Sequence, residues 1–125
     1  SQLKRVIRTN YSNPPTHGGT IVAAVLNSPE LRALWETELG EMRDRIKLMR
    51  NLLVSKLQAA GVERDFSFVN AQRGMFSYSG LTSEQVDRMR NEFGIYAVGT
   101  GRICVAALNT KNIDYVADAI AQVLK

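Results

Sequence analysis

The stretch SPELRALWETELGEMRDRIKLMRNLLVSKLQAAG, residues 28–61, decides the fold. Ser28 is a helix-capping residue type and Pro29 a favoured first helical residue, with Glu30 near the positive end of the helix dipole. Leu31, Trp35, Leu39, Met42, Ile46, Met49, Leu53, Leu57 and Ala60 then follow at steps of three or four residues. They form one helical stripe, and Gly61 supplies the stop. Gly40 weakens the helix by roughly 1 kcal/mol relative to alanine and marks the expected site of a bend. Roughly 32 residues rising 1.5 Å each span about 48 Å, whereas a compact domain of this chain length is about 36 Å across. The helix should overhang its own domain, and its continuing apolar stripe calls for a cover from elsewhere.

Downstream of Gly61 the period changes. Phe66-Ser67-Phe68-Val69 and Met75-Phe76-Ser77-Tyr78 read as short strands around a Gln72-Arg73-Gly74 turn. Alternation with Ser77 puts Phe76 and Tyr78 on one sheet face, for which core packing is the default expectation. Thr82 can cap a helix through Val86, Met89 and Phe93, closed by Gly94. Ile95-Tyr96-Ala97-Val98 and Ile103-Cys104-Val105-Ala106 read as further strands joined by a tight Gly99-Thr100-Gly101 turn. A last helix over residues 110–124 places Ile113, Val116, Ile120 and Val123 on one face. Helices and strands mix without strict alternation, so the fold class is α+β: a long helix plus a few short strands covered by helices.

Upstream, the chain to Asn13 shows no sustained periodicity. Asn13-Pro14-Pro15 forces extended or turn geometry, and Ile21, Val22, Val25 and Leu26 suit a short helix over residues 18–27. The opening residue, Ser1, reads as part of a longer protein.

Composition excludes several classes. Of 125 residues, 45% are apolar and 22% charged, ordinary values for a single globular domain. No apolar run approaches the ~20 residues of a membrane helix, and no signal-peptide pattern is present. The single cysteine, Cys104, fits a reducing, cytoplasmic setting and reads as a small buried hydrophobe. His17 has no partner at metal-ligand spacing, so no metal site is expected. The net charge of +4 does not indicate nucleic acid. Arg43, Arg45, Lys47 and Arg50 alternate with Glu38, Glu41 and Asp44, which reads as a solvated face of mixed sign without interleaved aromatics.

Chemistry is sparse. Gly99-x-Gly101 precedes a strand rather than a helix, so it reads as a hairpin turn and not a nucleotide loop. Ser12 and Ser79 lack a histidine base at hand, and no carboxylate pair is placed for acid–base work. Two arginines remain. Arg8 opens the turn-rich run Arg8-Thr9-Asn10-Tyr11-Ser12-Asn13-Pro14-Pro15-Thr16-His17-Gly18-Gly19, and Arg102 ends Gly99-Thr100-Gly101-Arg102 before an apolar run. Two fixed guanidinium forks suit a ligand with two carboxylates, and loop-edge salt bridges are the competing reading. A non-catalytic α+β module for dimerisation or for binding an acidic metabolite also remains open at this level.

Three stretches in register point further: Ile7-Arg8-Thr9-Asn10-Tyr11-Ser12-Asn13-Pro14-Pro15, Gly74-Met75-Phe76-Ser77-Tyr78-Ser79-Gly80-Leu81, and Phe93-Gly94-Ile95-Tyr96 followed by Gly101-Arg102. Together they resemble the C-terminal part of the class I aspartate and aromatic amino-acid aminotransferases, which use pyridoxal phosphate, and the resemblance runs from end to end. It implies the small C-terminal domain of a fold-type I enzyme, here residues 28–125 beginning with a long linking helix. Residues 1–27 are then a segment from the large-domain side that includes the substrate-arginine loop.

By the same resemblance, Arg102 holds the substrate's α-carboxylate. Arg8 reaches the neighbouring subunit's site to pair with a distal carboxylate, and Phe76 lies near the substrate. Ser12 and Asn13 fall in the segment approaching the neighbour's site. A homodimer acting on amino-acid and 2-oxo-acid substrates is implied, with no nucleic acid and no membrane. The family's Schiff-base lysine, its pyridine-nitrogen aspartate and most phosphate ligands lie upstream of this sequence. Lys4, Lys47, Lys56, Lys111 and Lys125 match no such motif, so this chain alone is not expected to transaminate. Gln72-Arg73-Gly74-Met75-Phe76-Ser77-Tyr78 and Arg102-Ile103-Cys104-Val105 look more like the bacterial aromatic branch than the aspartate branch. Both branches keep both arginines, and the family's aromatic enzymes also take dicarboxylates. The resemblance thus implies an aromatic enzyme of broad specificity, with an aspartate aminotransferase as the alternative.

Overall fold

The computed structural model describes residues 1–12 and 14–125. Two compact units divide the chain, Ser1–Glu41 and Met42–Lys125.

The first unit is helical. Helix α1 (Gln2–Asn10) is a correction to the sequence reading, which found no period there. Leu3, Val6 and Ile7 sit at helical spacing, but the segment is too short for the pattern to repeat, and all three are exposed. Helix α2 covers Thr16–Asn27 as expected, two residues longer at its start. The first part of α3 (Pro29–Ala59) completes the unit, and the Leu31 amide donates to the Ser28 hydroxyl at 3.4 Å. The helix runs unbroken through Gly40.

In the second unit the rest of α3 supplies one wall of the core. Met49, Leu53, Val54 and Leu57 are buried, whereas Leu31, Trp35, Leu39 and Met42 earlier on the same stripe are exposed. The apolar stripe therefore continues well past the part of α3 that the core buries. Gly61, with φ of +74°, ends the helical path.

Residues 66–69 form no strand. The Asp65 carboxylate accepts from the Ser67 amide at 2.8 Å and the Ser67 hydroxyl at 2.7 Å. This side-chain turn starts the short helix α4 (Phe68–Ala71) and places Phe66 and Val69, three apart, together in the core. Those two bonds also hold the Asp65 carboxyl below its ordinary pKa. The apparent alternation of Phe66 and Phe68 is instead a stacked pair with ring centroids 5.8 Å apart.

Strand β1 (Phe76–Tyr78) pairs antiparallel with β2 (Arg102–Cys104), and these two strands form the sheet. The register sets Phe76 opposite Cys104, Ser77 opposite Ile103 and Tyr78 opposite Arg102. Helix α5 (Ser83–Phe93) lies between them in sequence. Thr82 and Gln85 form a reciprocal capping box at its start, and Gly94 closes it in a left-handed conformation with φ of +63°.

The expected strand at residues 95–98 reduces to a single bridge between Val98 and Arg102. The Ile95 amide is taken by the Met89 carbonyl at the end of α5, and the two inward side chains, Ile95 and Ala97, pack on the core without a ladder. Strand β2 also stops earlier than expected. Residues Val105–Ala107 turn as a 3-10 helix, and Arg45 donates to the Ala106 carbonyl at 2.8 Å and the Leu108 carbonyl at 2.7 Å. Helix α6 (Ile113–Leu124) packs on α5 and buries Ile113, Ala117, Ile120 and Val123. Among the described residues no helix is long and apolar enough to cross a membrane.

Candidate functional site

Arg102 is the first residue of β2, directly after the 99–101 turn. The Gly101 amide donates to the Val98 carbonyl at 2.8 Å, and the Val98 amide donates to the Arg102 carbonyl at 3.2 Å. Directly opposed residues of an antiparallel pair share a face, so Arg102, Tyr78, Phe76 and Cys104 project on one side of the sheet and Ser77 and Ile103 on the other. The Arg102 guanidinium carbon lies 5.0 Å from the centroid of the Phe76 ring, within cation–π range.

This face is the outer one, which reverses the expected core packing of Phe76 and Tyr78. They are 46% and 58% exposed, while Ser77 between them is 2% exposed. The reason lies on α3. Arg50, only 3% exposed, points its guanidinium at the inner face of β1. It donates to the Val69 carbonyl at 3.2 Å, the Phe76 carbonyl at 3.2 Å, the Gly74 carbonyl and the Ser77 hydroxyl. A small hydroxyl and not an aromatic ring fits beneath the strand. Arg50 therefore does not belong to a solvated helix face, and Arg45 too serves the fold. Burial lowers the Arg50 pKa from the ordinary arginine value, and the four oxygen acceptors offset that desolvation. Sequence carried one signal for this residue: Arg50 stands four after Ile46 and three before Leu53, in the buried stripe itself.

Arg102 also shows no ion pair among the described residues, in contrast to Arg32 with Glu36 at 3.0 Å and Arg88 with Glu92 at 2.8 Å. Arg8 stands likewise without an acidic partner, exposed in the last turn of α1, where a cation is favoured by the helix dipole. The loop-edge salt-bridge reading of the two arginines finds no partner there. Ser12 follows α1 on the exposed surface, and Asn13 lies outside the described residues. Arg8 and Ser12 belong to the first unit, Arg102 and Phe76 to the second.

Two serines hold the 99–101 turn, a role that sequence alone did not assign to either. Ser79, 1% exposed, donates its hydroxyl to the Gly101 carbonyl at 2.6 Å, and Ser83 donates to the Gly99 carbonyl at 2.7 Å. Cys104 is half-buried on the arginine face. None of the lysines is set in a desolvated pocket suited to attaching pyridoxal phosphate: Lys56 pairs with Asp114, Lys47 lies 3.8 Å from Asp44, and Lys4, Lys111 and Lys125 are exposed. The residues of this chain do not fit the cofactor's attachment. Among the described residues no His, Cys, Asp and Glu cluster could hold a metal ion.

Comparison with known proteins decides what this arrangement belongs to. The family model for aminotransferase class I and II matches residues 1–120. The chain belongs to the class I and II aminotransferases. It is 71% identical over 124 residues to the aspartate aminotransferase of Pseudomonas aeruginosa, covering 99% of this chain and 31% of that protein. It is 53% identical over 123 residues to the aromatic-amino-acid aminotransferase of Escherichia coli, covering 98% and 31%. Among solved structures, the aromatic-amino-acid aminotransferase from Burkholderia pseudomallei covalently bound to pyridoxal phosphate superposes with a TM-score of 0.93 at 82% identity, over 99% of this chain and 31% of that one. The chain thus spans about a third of the length of the aminotransferases it matches, and its mostly helical unit with a two-stranded sheet is a small α+β domain of that fold.

Proposed function

We propose that this chain is the substrate-arginine and small-domain part of a pyridoxal-phosphate-dependent aromatic amino-acid aminotransferase. It exchanges an amino group between an amino acid and 2-oxoglutarate and also accepts dicarboxylic substrates. The observation that carries this reading is Arg102, an exposed guanidinium over the Phe76 ring with no acidic partner among the described residues. A fork held in that state is ready to take the α-carboxylate common to every amino acid, and Phe76 adds an apolar surface beside it.

Residues 28–125 form the small domain, and residues 1–27 come from the large-domain side. Arg8 takes the distal carboxylate of a dicarboxylic substrate in the neighbouring subunit of a homodimer, with Ser12 and Asn13 along the same approach. Pyridoxal phosphate, bound through residues outside this chain, supplies the electron sink for the transfer. The residues described here bind and orient the substrate.

The identity of 71% to an aspartate aminotransferase favours a second reading, in which aspartate is the preferred donor. Transamination by the full-length product of the encoding gene, with phenylalanine and aspartate in turn against 2-oxoglutarate, separates the two. Activity with both supports the broad aromatic reading. Activity with aspartate alone moves the assignment to the aspartate branch, and activity with neither overturns the proposal.

A further inference from the structure

We propose that Ser79 and Ser83 are positioning residues for Arg102, two hydroxyl anchors that fix the 99–101 turn from which Arg102 departs. The inference rests on the reading of Arg102 as the carboxylate-binding arginine.

The turn is tied at both ends by side chains distant in sequence. Ser83 donates to the Gly99 carbonyl at 2.7 Å, and Ser79 donates to the Gly101 carbonyl at 2.6 Å. The Gly101 carbonyl takes a second bond from the Ser79 amide at 2.8 Å, which extends the β1–β2 ladder by one step. The Ser79 hydroxyl in turn accepts from the Leu81 amide at 3.3 Å, so this buried group both donates and accepts. Gly101 has φ of +83°, and a Cβ there would lie 2.7 Å from the Leu81 carbonyl oxygen. The backbone just before Arg102 is therefore pressed against residues 79–81, with the Ser79 hydroxyl between them.

Ser83 makes the stronger case for a positioning role because its hydroxyl is not needed by its own helix. Thr82 and Gln85 already cap α5 reciprocally. Ser83, the first residue of α5, is exposed and sends its hydroxyl to the turn instead. Releasing either anchor lets the 99–101 segment move, and Arg102 then loses orientation that a bound carboxylate must restore. The cost falls on binding of the group all substrates share.

The test uses the full-length protein with Ser83→Ala, Ser83→Thr, Ser79→Ala and Arg102→Leu. Two readouts serve: titration calorimetry with 3-phenylpropionate, an aromatic monocarboxylate, and KM against kcat for phenylalanine and aspartate. A neutral hydrogen bond corresponds to about a threefold to tenfold change in an equilibrium constant. Ser83→Ala is expected to weaken 3-phenylpropionate by about that factor and to raise KM equally for both amino acids with little change in kcat. Ser83→Thr, which keeps the hydroxyl, is expected to restore both. Should Ser79→Ala fail to fold, the exposed Ser83 carries the test alone. Unchanged binding in Ser83→Ala, with Arg102→Leu abolishing it, overturns the anchor role and leaves the function of Arg102 intact. Unchanged binding in Arg102→Leu instead removes the reading on which the proposal stands. A loss that tracks only the folded fraction, at constant affinity, also overturns the anchor role.

Discussion

Arg102 and Phe76 stand on diagonal positions of the two-stranded sheet, the guanidinium carbon 5.0 Å from the ring centroid. The contact joins the first residue of β2 to the first residue of β1 on the outward face, so the ring acts as a shelf that limits where the fork can point. An exposed cation–π contact is worth about 0.5–1 kcal/mol. Phe76→Ala is therefore expected to raise KM for phenylalanine and aspartate alike by about twofold to fivefold in the full-length protein, and Phe76→Tyr to leave both near the starting value. Steady-state kinetics on the two substrates decide it. An effect confined to phenylalanine shows that the ring contacts the substrate side chain and does not act through Arg102.

Arg8 and Arg102 are expected to fail differently. Removing Arg102 withdraws the partner of a carboxylate present on every amino acid, whereas removing Arg8 withdraws one present only on dicarboxylic substrates. Arg102→Leu should lower kcat/KM for phenylalanine and aspartate together, and Arg8→Leu should lower it selectively for aspartate and glutamate. The loss in each case is about 2–5 kcal/mol, the cost of leaving a desolvated charge without its partner. Equal losses for aspartate and phenylalanine on Arg8→Leu would refute the assigned role.

The parts of the fold legible in sequence are those determined within one turn of the chain. Ser28-Pro29 and Gly61 bracket α3, and the Thr82–Gln85 box and Gly94 bracket α5, because caps act through neighbouring backbone groups. Helix α1 escaped because its apolar face spans only Leu3, Val6 and Ile7. Phe66 to Val69 misled because two aromatics spaced by one residue imitate a strand, while Asp65 and Ser67 set a turn. The sheet was read inside out at Phe76 and Tyr78 because the partner that fills its inner face, Arg50, lies 26 residues before Phe76 and on another element. The candidate site shows the same division. Arg102 and Phe76 could be named from their motifs, but Ser79 and Ser83 emerge only once β1, β2 and α5 surround the 99–101 turn.

Asp65 gives a pH-dependent test of the turn that replaced the expected strand. Two bonds from Ser67 hold its carboxyl below the ordinary aspartate value of about 4. A group whose pKa is depressed on folding contributes stability that is fully present above its unfolded value and is lost as pH falls through its folded value. The contribution should thus be intact at neutral pH and decline only below about pH 4. Carboxyl resonances of the labelled protein should show Asp65 titrating lower than in Ser67→Ala, which removes the hydroxyl bond and leaves the amide bond in place. Coincident titration in the two proteins would show that the Ser67 hydroxyl adds nothing to the hold of the Ser67 amide on the carboxylate.

Arg50 should be the most sensitive buried polar position in the second unit. Its guanidinium satisfies the Val69, Gly74 and Phe76 carbonyls and the Ser77 hydroxyl, and each buried group left without a partner costs about 1–3 kcal/mol. Arg50→Met should therefore destabilise the full-length protein by about 3 kcal/mol or more in urea unfolding. Arg50→Lys, with one ammonium in place of a planar fork, should recover only part of that. Because the same guanidinium fixes the strand that carries Phe76, both variants should also raise KM for phenylalanine and aspartate in the protein that remains folded. Ser77 supplies the control. Ser77→Ala should cost about 1 kcal/mol alone and much less in the Arg50→Met background, since the bond it removes is already gone. Additive losses would mean that Arg50 and Ser77 stabilise the strand independently, and that the inner face is set by packing and not by the shared hydrogen bond.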